Sequence, residues 1–331
     1  MTIRPPLLKV VEYIQIKGMR PTSEGTKFRL ITRHDFDGLA SAVLLKELGM
    51  IEEFDFVHPK DMQDGKVRVS SHDISTNLPY AEGIHLAFDH HASEANRVGP
   101  RENYVLDPGA PSASQVLYDH FGGTAKFPAY TREMMAAVNK ADSAQFTREE
   151  IFHPRGWILL HFLLDPRTGL GRFRDFAVSD QALMIKLTDL CRKLPIEKVM
   201  ERYDITERSD RYFVLEEKFR EQIRKYSELR EKIIVIDLRE EDPILAGNRF
   251  LPYALFPETN ISLHIFWGRE KKNTVIAVGK SIFDRSSRYN AGMGMLKYGG
   301  GGHEGAGTCQ VPNERDDEIM RNIIQDISEA A

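Results

Sequence analysis

The 331 residues predict an α/β protein. An N-terminal, doubly wound and mainly parallel five-stranded sheet with helices on both faces should be followed by a smaller C-terminal α/β domain with a mixed sheet. Three observations carry this. Strand-length apolar runs alternate with helix-length segments over residues 28–123, the pattern of crossover units. Four of those runs stop abruptly at acidic or imidazole side chains, as strands of an open sheet do at a ligand crevice. After a charged stretch, apolar runs resume at Ile233 and lead into a glycine-rich segment and a terminal helix.

In chain order, Leu7, Val10, Val11 and Ile14 within Pro5–Lys17 have helical spacing. Phe28–Thr32 is a strand running into Arg33-His34-Asp35-Phe36-Asp37-Gly38, and the segment after Gly38 is a helix closed by Gly49. Glu53–His58 and Lys66–Ser70 read as the second and third strands, the latter ending in Ser71-His72-Asp73. In the fourth, Ile84, Leu86 and Phe88 share one face with Ala87 on the other, and the run ends in Asp89-His90-His91. Tyr104–Leu106 is the fifth, followed by a helix over Pro111–Gly123. From Pro128 to Tyr203 the pattern is mainly helical, and one helix carries Asp142. Gly156–Phe173 reads as a core helix broken at Asp165-Pro166, in preference to a cleft wall. Arg211–Lys232 has the look of a connecting helix. The domain bounds expected from this are 1–205, a connector at 206–232, and 233–331.

Composition narrows the function. The chain is 41% hydrophobic and 28% charged, ordinary for a soluble globular protein. Its formal net charge of −4 disfavours a broad basic surface for long duplexes but admits a small anionic substrate. Cys191 and Cys309 fit no metal spacing and read as reduced thiols. The N-terminal stretch is too charged for a signal peptide, and no apolar run has membrane-spanning length, so a cytoplasmic location is expected. A homodimer is compatible with all of this.

The chemistry gathers at the ends of the apolar runs: His34, Asp35, Asp37, Asp73, Asp89, His90 and His91, with Asp142 on a helix. Carboxylates sharing one crevice repel, and a pair of divalent cations relieves that conflict. Mixed Asp and His ligands suit Mn²⁺, with Mg²⁺, Co²⁺ or Fe as substitutes. Two cations roughly 3.5–4 Å apart are a recurring device for hydrolysing phosphate esters. Gly299-Gly300-Gly301-Gly302-His303 offers a run of backbone N–H groups for an anion, and Arg285, Ser286, Arg288 and Asn290 stand just upstream. The run lacks the Lys-Ser/Thr of a nucleotide P-loop and the spacing of a dinucleotide fingerprint.

The ordered set RHDFDG, SHD, DHH, the ADS containing Asp142, RSSRYN and GGGGHEGAG resembles the DHH phosphoesterase superfamily over nearly the whole chain, in its branch with a DHH-associated C-terminal domain. That branch includes RecJ-like nucleases, nanoRNases of the NrnA type and exopolyphosphatase-related proteins. The resemblance implies two Mn²⁺ ions, one on Asp35 and Asp73, the other on Asp37, Asp73, His90 and Asp142, with Asp73 bridging. Asp89 would orient an imidazole and His91 would touch the scissile phosphate. Arg285, Ser286 and His303 would clamp the far end of the substrate. Relatives carry a His or Asp two or four positions before the first motif aspartate, where this chain has Arg33 and Ile31. Either His34 is then a stand-in ligand or the first metal site is weak or empty, leaving one ion, and Arg33 is a fixed charge that offsets the missing cation or holds a phosphate. The expected activity is metal-dependent hydrolysis of short linear di- or oligoribonucleotides to mononucleotides. Polyphosphate, cyclic dinucleotides and 3′-phosphoadenosine 5′-phosphate are alternative substrates. A catalytically impaired nucleotide-binding module is the reading from another class.

Overall fold

The computed structural model describes residues 27–245 and 247–330, so the helix expected at Pro5–Lys17 lies outside the described residues. Strand β1 (Phe28–Arg33) is central to the first sheet. It lies between β2 (Ile51–Val57) and β3 (Asp73–Thr76), and β4 (Leu86–Asp89) and β5 (Tyr104–Leu106) continue beyond β3. Every pairing is parallel. Strand order reverses between β1 and β3, which makes the space beyond their carboxyl ends the natural ligand crevice. Both faces are covered, as parallel sheets require: Leu30 of β1 packs into the large core with Leu39, Leu44 and Phe88, while Ile31 joins Leu78, Ile84 and Ala87 on the other face.

The third strand differs from the sequence reading. Lys66–Ser70 is an irregular, largely exposed stretch, and the strand is the next segment, Asp73–Thr76. Its polar residues are buried, and the neighbouring strand satisfies the last of them, Thr76. The Thr32 hydroxyl pairs with the Thr76 hydroxyl at 2.7 Å and reaches the Thr76 carbonyl at 3.0 Å. The carboxyl end of β3 therefore delivers Asn77, and Asp73 stands at its amino end. Ile84 also departs from expectation: β4 begins only at Leu86, and Ile84 packs with Ala87 in the smaller cluster.

The charged helix spans Tyr203–Lys225 and ends earlier than expected. A two-residue turn at Glu231-Lys232, with Glu231 at φ 53°, then joins β6 (Ser227–Arg230) to β7 (Ile233–Asp237) as an antiparallel hairpin. The second sheet adds β8 (Ile261–Trp267), β9 (Thr274–Lys280), β10 (Gly301–His303) and β11 (Ala306–Val311) in the order β10-β11-β9-β8-β7-β6. It is mixed, since β7 and β8 run parallel and its other pairs antiparallel. Alternation along β7 divides its side chains. Ile234 and Ile236 enter the core shared with the first sheet, while Ile233 and Val235 pack with Met295 and Ile323 from the helices Ala291–Leu296 and Asp316–Glu329. Among the described residues no helix is long and apolar enough to cross a membrane.

Candidate metal centre and cleft

At the end of β1 the chain turns into the helix Phe36–Glu47. Asp35 is its N-cap, its Oδ1 accepting the Gly38 N–H at 3.0 Å. A Cβ at position 38 would overlap the carbonyl oxygen of Arg33, so this tight entry requires glycine. The first helical turn then drives Asp37 into the interior. Its two carboxylate oxygens accept the backbone N–H groups of Ala113 (3.0 Å) and Ser114 (2.8 Å), at the start of the helix Ala113–His120.

At the end of β4, Asp89 is wholly buried and accepts from the His90 N–H (2.9 Å), His91 Nδ1 (2.7 Å) and the Tyr104 hydroxyl (3.1 Å). His90 Nδ1 donates to the Ala110 carbonyl at 3.2 Å, which leaves Nε2 3.0 Å from Oδ2 of Asp142, the last residue of the helix Thr131–Asp142. One ligand atom each from Asp37, His90 and Asp142 then lies within 4.8 Å of the others.

Charge is unbalanced here. Burial, followed by the charges of Asp142 and Asp35, pushes Asp37 up to about 7. Burial raises Asp35 as well, only partly offset by Arg33. Burial works against the charge on Asp142 too, but the hydrogen bond and charge of His90 prevail and hold that carboxyl low. The same pair outweighs burial at His90 and lifts it to about 9. Two carboxylates and an imidazole, each oriented by a hydrogen bond from behind or by a partner, are a donor set that fits a divalent cation such as Mn²⁺ or Mg²⁺.

Two expected ligands are not brought together with this trio. Asp73 stands at the opposite end of the sheet, because the first residue of a parallel strand lies farthest from the crevice at the carboxyl ends. There Arg29 holds both its oxygens, at 2.8 and 3.0 Å, and Ser70 donates from N and Oγ. His34, just past the end of β1, packs edge-on against Phe56. It borders a cavity of about 340 Å³ with Asp165, Arg172, Arg174, Asp180 and Arg208. Asp35 stays near the trio but outside it, paired with Arg33 Nε at 3.0 Å and Asn77 Nδ2 at 3.3 Å.

The glycine run is not an open anion cradle. The N–H groups of Gly299 and Gly300 bond the carbonyls of Leu296 and Met295, and Gly301–His303 forms β10 against β11. The lack of side chains lets the helix Ala291–Leu296 lie directly on that hairpin; a Cβ at Gly292 would sit 2.6 Å from the carbonyl carbon of Gly302. Asn290 caps this helix through the Met293 N–H. The Ser286 hydroxyl accepts from Asn260 Nδ2 at 3.0 Å and Lys232 Nζ at 3.4 Å. Arg288 is exposed. Arg285 reaches across to the Ala144 carbonyl at 3.3 Å, two residues from Asp142.

Burial, then the charges of Arg249, Arg167 and His91, lower the pKa of His303 at the tip of the β10–β11 hairpin. Arg167 and Arg249 carry no motif in the sequence. They are ordered by buried Asp165, 2.7 Å from Arg167 Nε and 3.8 Å from Arg249 Nε, and Arg249 lies over the Phe250 ring. The segment Gly156–Phe173 thus serves as both a core helix and a cleft wall. His161 remains in the core, where burial pushes it down to about 4. Trp267 and Phe266 line a cavity of about 530 Å³ at the end of β8 away from His303. Cys191 and Cys309 are free and buried.

No protein-family model matches the chain, and no curated protein matches it. The pGpG-specific phosphodiesterase PggH from Vibrio cholerae is 50% identical and superposes with a TM-score of 0.85, covering 92% of this chain and 100% of its own. RecJ from Thermus thermophilus, in complex with Mn²⁺, superposes with a TM-score of 0.55 at 13% identity, over 92% of this chain and 52% of its own, a likeness of fold alone. Given half its residues in common with a solved relative along that relative's full length, the chain belongs to the DHH phosphoesterase superfamily, hydrolases of phosphate ester bonds.

Proposed function

We propose that this chain is a metal-dependent phosphodiesterase that splits short linear dinucleotides, pGpG first among them, into mononucleotides. The observation that carries the reading is the Asp37–His90–Asp142 trio together with Arg167 and Arg249, which buried Asp165 orders and of which Arg249 feels the charge of Asp142. A divalent cation held by Asp37, His90 and Asp142 would supply positive charge to a phosphate oxygen and lower the pKa of a water molecule. The rest is done by side chains. His91, held on Asp89, presents Nε2 as a hydrogen-bond donor to a non-bridging oxygen of the scissile phosphate. Arg249 and Arg167 pair with the terminal phosphate. The net charge of −4 suits short anions better than long ones. The activity of PggH on pGpG supports the same substrate class.

The test is incubation of the purified chain with pGpG, pApA, a longer RNA and polyphosphate in Mn²⁺. Release of mononucleotides from the dinucleotides, with pGpG fastest, is expected. Intact dinucleotides beside cleaved polyphosphate would overturn the proposal.

A further inference from the structure

We infer that this chain takes a single divalent cation, on Asp37, His90 and Asp142, and that Arg33 and Asn77 fill the place of a second. The inference deepens the phosphodiesterase reading and rests on it only for the use made of the Arg33 charge. A second ion needs a bridging carboxylate at the carboxyl end of β3. That position holds Asn77, a neutral amide, while Asp73 is tied to Arg29 at the other end of the strand. The remaining candidate, Asp35, is already engaged on both oxygens. Its Oδ1 accepts from the Gly38 N–H at 3.0 Å and Asn77 Nδ2 at 3.3 Å, and its Oδ2 is ion-paired with Arg33 Nε at 3.0 Å. Among the described residues no other group of three carboxylate, imidazole or thiol donors converges.

The chemistry of these groups makes the arrangement exclusive. A guanidinium stays protonated in proteins and cannot step aside by losing its charge. A dication entering at Asp35 would have to break the Arg33 pair and would meet a fixed positive charge. Arg33 supplies part of what the second ion would: a permanent positive charge held by a buried carboxylate, with its side chain 29% exposed. Its Nε is spent on Asp35, and among the described residues its Nη groups have no hydrogen-bond partner, so they remain for a phosphate oxygen. Arg33 is thereby a catalytic residue, and Asn77 a positioning residue that holds Asp35 under it.

The experiment is titration of the metal-free, full-length chain with Mn²⁺, followed by calorimetry and by electron paramagnetic resonance. One equivalent per chain is expected, with the six-line signal of an isolated ion. Two equivalents giving a spin-coupled spectrum would overturn the inference. A double variant, Arg33→Ala with Asn77→Asp, is expected to take up a second equivalent, and its remaining at one would show that these residues do not fill that place. Should the double variant not fold, the count on the unmodified chain decides. Arg33→Ala alone should retain one ion yet lose about 100-fold in kcat on the dinucleotide. Ion counts are read without substrate, so a chain that leaves pGpG intact but binds one Mn²⁺ refutes the substrate reading and leaves this one standing.

Discussion

Asp89 accepts the Nδ1 proton of His91 at 2.7 Å while itself wholly buried, so the orientation of the ring is set by the charge of the carboxylate. The hydrogen bond to Asp89, opposed by burial, raises the pKa of His91. The imidazolium therefore persists further into the neutral range than that of a free histidine. Asp89→Asn removes the charge and leaves the shape. Activity on the dinucleotide is expected to fall about 10–100-fold. The alkaline loss of kcat/KM, where His91 gives up its proton, should move to lower pH. A profile with an unmoved alkaline limb would mean that His91 is not the donor.

The acidic centre predicts a pH-dependent metal affinity. Burial and the charges of Asp142 and Asp35 raise Asp37 to about 7, so at pH 6 a proton occupies a carboxylate that the cation needs. His90, lifted to about 9, must also give up its proton to hold the cation, so Mn²⁺ affinity should rise most steeply below pH 7, continue to rise about tenfold per pH unit to about 9 and level off above it. Calorimetry in buffers of different ionisation enthalpy should detect release of up to two protons at pH 6. Asp142→Asn removes a donor and a repelling charge together. It should weaken Mn²⁺ binding by at least ~100-fold and lessen the pH dependence, because Asp37 then ionises more readily.

Much of this centre was legible in the sequence because Asp37, His90 and Asp142 follow segments of clear period: a strand entering a helix, a strand of alternating apolar residues, and an amphipathic helix. Asp73 misled for a physical reason. Val67 and Val69 alternate as a strand would, yet they lie in a half-exposed loop. The real strand, Asp73–Thr76, is polar in composition yet buried, with Asp73 held by Arg29 and Thr76 paired to Thr32, which no hydrophobic pattern reports. A shift of a few residues then moved the strand end from Asp73 to Asn77 and the ligand with it. Strand β6 was hidden likewise, since Glu231-Lys232 is an unusual pair for a turn that needs positive φ. Arg249 lies in a stretch without period, and only folding against Asp165 shows its place.

The helix Ala291–Leu296 and the β10–β11 hairpin approach too closely for any side chain between them. A Cβ on Gly307 would lie 2.5 Å from the carbonyl oxygen of Ala291 and 2.9 Å from Met295 Cγ. Gly307→Ala must push helix and hairpin apart, at a cost of about 1–3 kcal/mol, read as a lower urea midpoint. Because Gly307 pairs with Gly302 beside His303, KM for the dinucleotide should rise with little change in Mn²⁺ affinity. A variant that loses metal instead would show that the two walls of the cleft are not separable.

Asp165 ties the cationic wall to the core, and acid should loosen it. Burial alone would raise this carboxyl, but the charge and hydrogen bond of Arg167 and the charge of Arg249 overcome it and bring it down to about 2. A depressed folded-state pKa stabilises the protein above the unfolded value, near 3.8, and that contribution is lost as pH falls towards 2. The difference is worth on the order of 2 kcal/mol for a group this buried. Urea midpoints of the unmodified chain should therefore fall more steeply between pH 5 and 3 than those of Asp165→Asn. The variant should already be less stable at pH 7, since it leaves Arg167 and Arg249 without their counter-charge. Arg249→Ala separates the functional role from the structural one. It removes the more distant partner at 3.8 Å, so stability should change little, while kcat/KM for the dinucleotide should drop about 10–100-fold through a lost charge-assisted hydrogen bond. Unchanged kinetics in Arg249→Ala would confine this arginine to the scaffold and leave Arg167 and His303 as the phosphate-facing wall.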